Sequence, residues 1–182
     1  MVQRPLVGEP LALDLVNTQW LDRSEIVDLF DSPGELPAWL AEHHFAGDAG
    51  AVEGPLRQAR GALRRILEEP GPAAEDGVNR VLSYGVVRFA IGPHGVREDY
   101  DVESDWVPAW RAVKDYLELL SGSADRIRRC AHPACNLYFY DTSRNGTRRW
   151  CSMDGCGSRS KAARHYQRRR GAAGAPASPP RR

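Results

Sequence analysis

Apolar residues recur at helical spacing through most of the chain before residue 121. Leu36, Trp39, Leu40 and His43 follow Ser32-Pro33-Gly34-Glu35, which reads as a helix start with a capping serine, proline at the first helical position and glutamate at the third. Pro55 to Glu69 places Leu56, Ala59, Leu63, Ile66 and Leu67 on one face. Arg57, Arg60, Arg64, Glu68 and Glu69 fall largely elsewhere, so an amphipathic helix is predicted, ended by Pro70-Gly71-Pro72. A further helix is expected from Ala74 to Tyr84, with Val78, Val81 and Leu82 inward. Trp106, Trp110, Val113, Leu117 and Leu120 then form one stripe of a core helix that Ser121-Gly122-Ser123 ends. The opening segment, Leu11 to Trp20, reads as a short helix, or as a strand leading into helix.

Between these helices the period changes. Val86–Ile91 and Val96–Val102 are rich in β-formers and flank Gly92-Pro93-His94-Gly95, the pattern of a β-hairpin. The expected fold is therefore α+β: a mainly helical N-terminal domain (1–122) with one hairpin, then a small second module (123–170). Residues 171–182 are small residues, proline and arginine, for which disorder is expected.

The second module holds all four cysteines, spaced C-x4-C-x15-C-x4-C at Cys130, Cys135, Cys151 and Cys156. Two close pairs separated by a returning segment is the spacing of a four-ligand zinc site, because each tight turn brings two sulfurs to neighbouring corners of a tetrahedron. Leu137–Tyr140 reads as a strand, Ser143-Arg144-Asn145-Gly146 as a turn, and Arg148-Arg149-Trp150 as the returning strand. The run after Cys156 reads as a helix, which completes a treble-clef-like order of knuckle, hairpin and helix. Two disulfides, an iron–sulfur cluster and unligated cysteines are the alternatives. The first needs an oxidising compartment, and the regular pairing among arginines favours zinc over the others. His132 and His165 lie nearby, but four thiolates already complete the shell. The expected cofactor is one structural zinc ion with no position open for catalysis.

Charge divides the chain at the same place. Residues 1–125 carry 11 Lys and Arg against 22 Asp and Glu, a net −11; residues 126–182 carry 14 against 2, a net +12. Lys161, Arg164 and Arg168 form one basic stripe on the last helix, and Arg144, Arg148 and Arg149 extend it from the hairpin. A cationic helix on a metal-stapled scaffold suits nucleic acid, whose phosphates such side chains neutralise. Docking of the basic half onto the acidic half is the competing explanation. Trp150 either lids the zinc site or stacks on a base. No apolar run reaches the roughly 18 residues of a membrane span, and the N-terminus lacks the layout of a signal peptide, so a cytoplasmic location is expected.

The run from Cys130 to Arg170 resembles the CGNR zinc finger of bacterial proteins, and LALDLVNT near the N-terminus resembles the opening of the ABATE domain that accompanies it. The name-giving tetrapeptide stands here as Cys156-Gly157-Ser158-Arg159, with serine for asparagine. The resemblance implies a stress-induced transcription regulator whose finger binds DNA. It carries over the four cysteines as zinc ligands, and Arg148, Arg149, Arg159 and Lys161 as candidate DNA contacts. Asp14, Asn17 and Thr18 match the LDLVNT motif; they bind a small effector, or they cap a helix and fix a turn. A homodimer through the helical domain would aid specific binding. Two other classes compete: an enzyme using Asp14, Asn17, Glu42, His43 and His44 for acid–base chemistry, and a protein–protein adaptor with zinc as a staple only.

Overall fold

The computed structural model describes residues 2–163 and 166. Its first helix, α1 (Leu11–Asn17), is buried at every position from Ala12 to Asn17. Helices α3 (Ala49–Glu68) and α5 (Val107–Ser123) pack on α1 and on each other, and α4 (Pro72–Leu82) covers α3 and α5. The short α2 (Glu35–Glu42) closes one side with Trp39 and Leu40. A helix this deeply buried needs partners for its free N-terminal N–H groups. The Asp115 carboxylate on α5 supplies one, accepting from the Ala12 N–H at 2.8 Å.

Several boundaries differ from the sequence expectation. The Ser32 cap does not form: α2 begins at Glu35, and Gly34, in left-handed backbone at φ 79°, precedes it. Helix α3 starts six residues before Pro55, capped by Asp48, and carries Pro55 within it. The proline removes one main-chain donor but lies only two turns in, and the long apolar face of Val52, Leu56, Ala59 and Leu63 holds the helix against α1 and α5.

The opening segment is a helix followed by a hairpin that the sequence did not announce. Strands β1 (Gln19–Asp22) and β2 (Glu25–Asp28) pair antiparallel around Arg23-Ser24. Both turn residues have positive φ, 47° and 76°, the backbone of a tight hairpin turn usually signalled by Asn-Gly. Buried Arg60 on α3 ties this hairpin down, donating to Asp28 at the end of β2 and to the Thr18 hydroxyl at 2.8 Å. The expected later hairpin is present as β3 (Gly85–Gly92) and β4 (Gly95–Val102).

After α5 the chain enters the cysteine-bearing region. Strand β6 (Tyr138–Tyr140) pairs with β5 (Ile127–Arg129), not with the expected return strand at Arg148–Trp150. The reason lies in Asp141. Its buried carboxylate accepts from the N–H groups of Ser143 and Arg148, both at 2.9 Å, and so folds residues 141–148 into a capped loop. Asn145-Gly146 turns within that loop instead of joining two strands.

The region packs into the same apolar core as the helices, with Leu137, Tyr138 and Phe139 against α1. Polar side chains pin the junction as well. Asn17 brackets Tyr138, donating from Nδ2 to its carbonyl at 2.8 Å and accepting from its N–H at 3.0 Å. Asn136 accepts from the Leu21 N–H at 3.0 Å, and Glu9 accepts from the Tyr140 N–H at 2.8 Å.

Candidate metal centre and basic face

The first pair of cysteines sits on a knuckle. Cys130 follows β5, its N–H donating to the Leu137 carbonyl at 2.9 Å, and Cys135 closes a turn by donating to the His132 carbonyl at 3.0 Å. The His132 ring is used inside this turn, where Nδ1 accepts from the Ala134 N–H at 3.2 Å. The second pair is spaced by Ser152, whose hydroxyl accepts from Gly155, and by a wide helical turn over Met153–Gly157. Residues 158–163 continue as helix. Ser158, where the CGNR motif has asparagine, donates from its hydroxyl to the Met153 carbonyl at 3.1 Å and so braces the knuckle.

All four sulfurs are buried and lie within 4.8 Å of one another. Zinc–thiolate bonds of about 2.3 Å place neighbouring corners of a tetrahedron about 3.8 Å apart. Cys135 to Cys151 is 3.8 Å and Cys151 to Cys156 is 3.5 Å, so the cluster already has the edge lengths of such a shell. Without a cation the cluster resists full ionisation. Hydrogen bonds from Cys135 and Cys151 hold the Cys130 thiol far below its ordinary range, and in return Cys130 pushes Cys135 up to about 12 and Cys151 higher still. A divalent cation resolves that conflict by replacing the shared protons. Two further donors serve the thiolates: the Cys151 N–H reaches Cys130 Sγ at 3.5 Å, and Arg159 reaches Cys156 Sγ at 3.2 Å. The donor set fits one structural zinc ion held by Cys130, Cys135, Cys151 and Cys156, with no protein-supplied vacancy for chemistry.

The candidate contacts separate into two groups. Arg144, Arg149, Arg159 and Lys161 are exposed, and none makes an ion pair to a carboxylate among the described residues. Arg149 lies over the Trp150 ring, 5.2 Å from its centroid. Trp150 is half-buried and rests on Gly157, where an added Cβ would come within 3.3 Å of the indole. Arg148 behaves differently from the expectation. Its guanidinium turns inward over the Phe139 ring, donates to the carbonyls of Trp150 and Cys151 at 3.1 and 2.7 Å, and reaches Glu9 at 3.2 Å. It joins the second knuckle to the N-terminal region. Arg164, Arg168 and His165 lie outside the described residues, as does the segment 171–182.

The LDLVNT residues are also drawn inward. Asp14 accepts from Arg4 at 2.7 Å, Trp39 Nε1 at 2.8 Å and His43 Nε2 at 3.1 Å. Burial pushes this carboxyl up, but the hydrogen bonds from His43 and Trp39 and the charge of Arg4 together hold it below the usual carboxylate range. Thr18 donates to the Leu15 carbonyl at 2.7 Å and accepts from Arg60; Asn17 grips β6. Of the other acid–base candidates, Glu42 pairs with Arg4, and His44 is exposed in left-handed backbone at the end of α2. A surface cleft of about 370 Å³ lies beside this cluster, lined by Val2, Arg4, Val7, Leu29, Trp39 and Glu42. No sequence signal marked Glu9, Asn136 or Arg148 as the pins of the junction, since their partners are more than a hundred residues away.

The fold and the cysteine cluster define a zinc-finger protein whose finger is built onto a helical N-terminal region. Comparison with protein families bears this out: the CGNR zinc finger matches residues 126–169, and ABATE, described as "Putative stress-induced transcription regulator", matches residues 9–123. The second match covers more than half of the chain, and the protein belongs to the ABATE family. Both are regulatory or zinc-finger families, not enzyme families. Among curated proteins, nothing matches the chain. No helix among the described residues is long and apolar enough to cross a membrane.

Proposed function

We propose that this protein is a DNA-binding regulator whose zinc finger meets the phosphate backbone through Arg144, Arg149, Arg159 and Lys161. One observation carries the reading. Among the described residues the two oppositely charged regions scarcely pair: they join through a shared apolar core and through hydrogen bonds of Asn17, Asn136 and Glu9, with a single ion pair, Arg148 to Glu9, across the junction. By contrast, the N-terminal cations are matched locally, Arg4 to Asp14 and Arg57 and Arg60 to Asp28. The exposed positive charge of the finger is thus left for an external polyanion. The N-terminal region would supply control, with the cleft beside Arg4 and Trp39 as the entry for a small effector.

Fluorescence anisotropy of labelled duplex DNA with zinc-loaded protein tests the reading. Affinity is expected to fall linearly with salt on logarithmic axes, and Arg149→Gln with Lys161→Gln is expected to reduce that slope by about 2. A folded, zinc-loaded protein that fails to bind duplex at low salt would overturn it and leave the adaptor as the better account.

A further inference from the structure

Among the described residues the β3–β4 hairpin packs on α5 through Tyr100 and Glu98. Tyr100 stands edge-on to Trp110, with 5.9 Å between ring centroids, and Lys114 on α5 reaches both the Tyr100 ring and Glu98. Gly85 permits this seat, because a Cβ there would lie 2.8 Å from Trp110 Nε1. Opposed residues of an antiparallel pair share a face, so Val87 with Tyr100, Phe89 with Glu98 and Ile91 with Val96 alternate on the side that leads to α5. On β3 and toward the tip, the apolar residues of that side are exposed. Phe89 is 69 %, Ile91 91 % and Val96 73 % exposed.

A two-stranded ribbon is marginal by itself and gains stability from further strands. Among the described residues this sheet has only two, so each strand keeps a free edge. The charges distinguish the two edges. β4 carries Glu98, Asp99 and Asp101 against Arg97 alone, and two such strands would set acid against acid. β3 reads Gly-Val-Val-Arg-Phe-Ala-Ile-Gly, with Arg88 its single charge. Antiparallel pairing of β3 with its own copy is free of like-charge contacts in the register that places Phe89 on the two-fold axis. There Phe89 meets the partner's Phe89, Val87 meets the partner's Ile91, and Arg88 meets the partner's Ala90. Centring the axis on Arg88 would oppose two arginines.

We propose that the hairpin is a dimerisation arm, and that two copies of this chain join β3 to β3 around Phe89 into one four-stranded sheet. The Arg88–Asp101 and Arg97–Asp99 pairs stay on the arm's charged, solvated surface, as they are in the monomer. The arm lies on the N-terminal region and the proposal is independent of the DNA reading; two fingers on one dimer would simply double the basic surface.

Sedimentation velocity of the zinc-loaded full chain at tens of micromolar tests it. The wild-type protein is expected as a dimer. Phe89→Lys and Phe89→Glu are each expected as monomers with unchanged circular dichroism and zinc content, since residue 89 is exposed in the monomer. Mixing the two variants is expected to restore a dimer, because residue 89 faces its own copy across the axis. A monomeric wild type, a dimer that survives both substitutions, or a mixture that stays monomeric would each overturn the proposal.

Discussion

The side-chain amide of Asn17 pairs with the main chain of Tyr138 as a neighbouring strand would, giving one hydrogen bond at 2.8 Å and taking another at 3.0 Å. Both residues are buried, so neither main-chain group has water to fall back on. Loss of a partner for a buried donor or acceptor costs about 1–3 kcal/mol each. Asn17→Ala is therefore expected to lower unfolding free energy by about 2–4 kcal/mol. Asn17→Asp is expected to be worse, since a carboxylate would face the Tyr138 carbonyl. Urea denaturation of the zinc-loaded protein gives the measurement; variants as stable as wild type would remove Asn17 from the junction.

Asp14 makes stability depend on acid. Its folded pKa is depressed by His43, Trp39 and Arg4 against the upward pull of burial. A depressed carboxyl contributes stability above its unfolded pKa of about 3.9 and loses it as pH falls through the folded value. Asp14→Asn is expected to cost about 3 kcal/mol at neutral pH, because Arg4 loses its buried carboxylate and keeps only the exposed Glu42. The gap between variant and wild type should narrow below about pH 4. A gap that is constant from neutral to acid pH would show that the carboxylate's charge is not what matters.

Zinc removal should reach beyond the finger. The four thiolates must shed protons to bind metal, so affinity is expected to weaken as pH falls. A chromophoric chelator at a series of pH values reads this directly. Near-ultraviolet circular dichroism of the chelated protein should lose the signal of Trp150, which rests on the second knuckle, and of Tyr138 in β6. Unchanged spectra and stability after complete zinc removal would contradict a structural role for the metal.

Arg148 and Arg149 are neighbours with opposite expected phenotypes. Arg148 connects the Cys151 carbonyl to Glu9, whereas Arg149 is exposed over Trp150. Arg148→Gln is expected to destabilise the fold by about 2 kcal/mol, within the range for hydrogen bonds to charged groups. Arg149→Gln is expected to leave stability within about 0.5 kcal/mol, as for most surface changes, and to weaken DNA binding. Thermal melts and anisotropy on both variants separate the roles; equal loss of stability in the two would erase the distinction.

Much of this architecture is legible in local patterns. The cysteine spacing carries the metal site because each knuckle is closed by contacts within a few residues. The stripe of α3 and the β3–β4 hairpin are likewise set by short-range periodicity, whereas on α5 the buried face runs through Ala109, Trp110, Val113 and Tyr116, and Leu117 and Leu120 of the expected stripe are exposed. What escaped local reading depends on distant partners or unusual turns. Arg23-Ser24 carries no turn signature, so β1–β2 was hidden. Asn145-Gly146 advertised a hairpin, but Asp141 captures its flanks and β6 pairs with β5. Asp14, Asn17 and Thr18 stood out through a family motif that left two roles open, an effector site or a cap and a turn. Their partners, Trp39, Arg60 and Tyr138, are brought to them only by the finished fold.

Because β6 is held to α1 by Asn17 and to the segment before α1 by Glu9, this finger is not a transplantable cassette. Cut free at residue 126, it would present Leu137, Tyr138 and Phe139 to solvent, and whatever holds the metal in place would also be felt at the heart of the helical region. Metal occupancy and the integrity of the helices are thus expected to be reciprocally linked, each a gauge of the other.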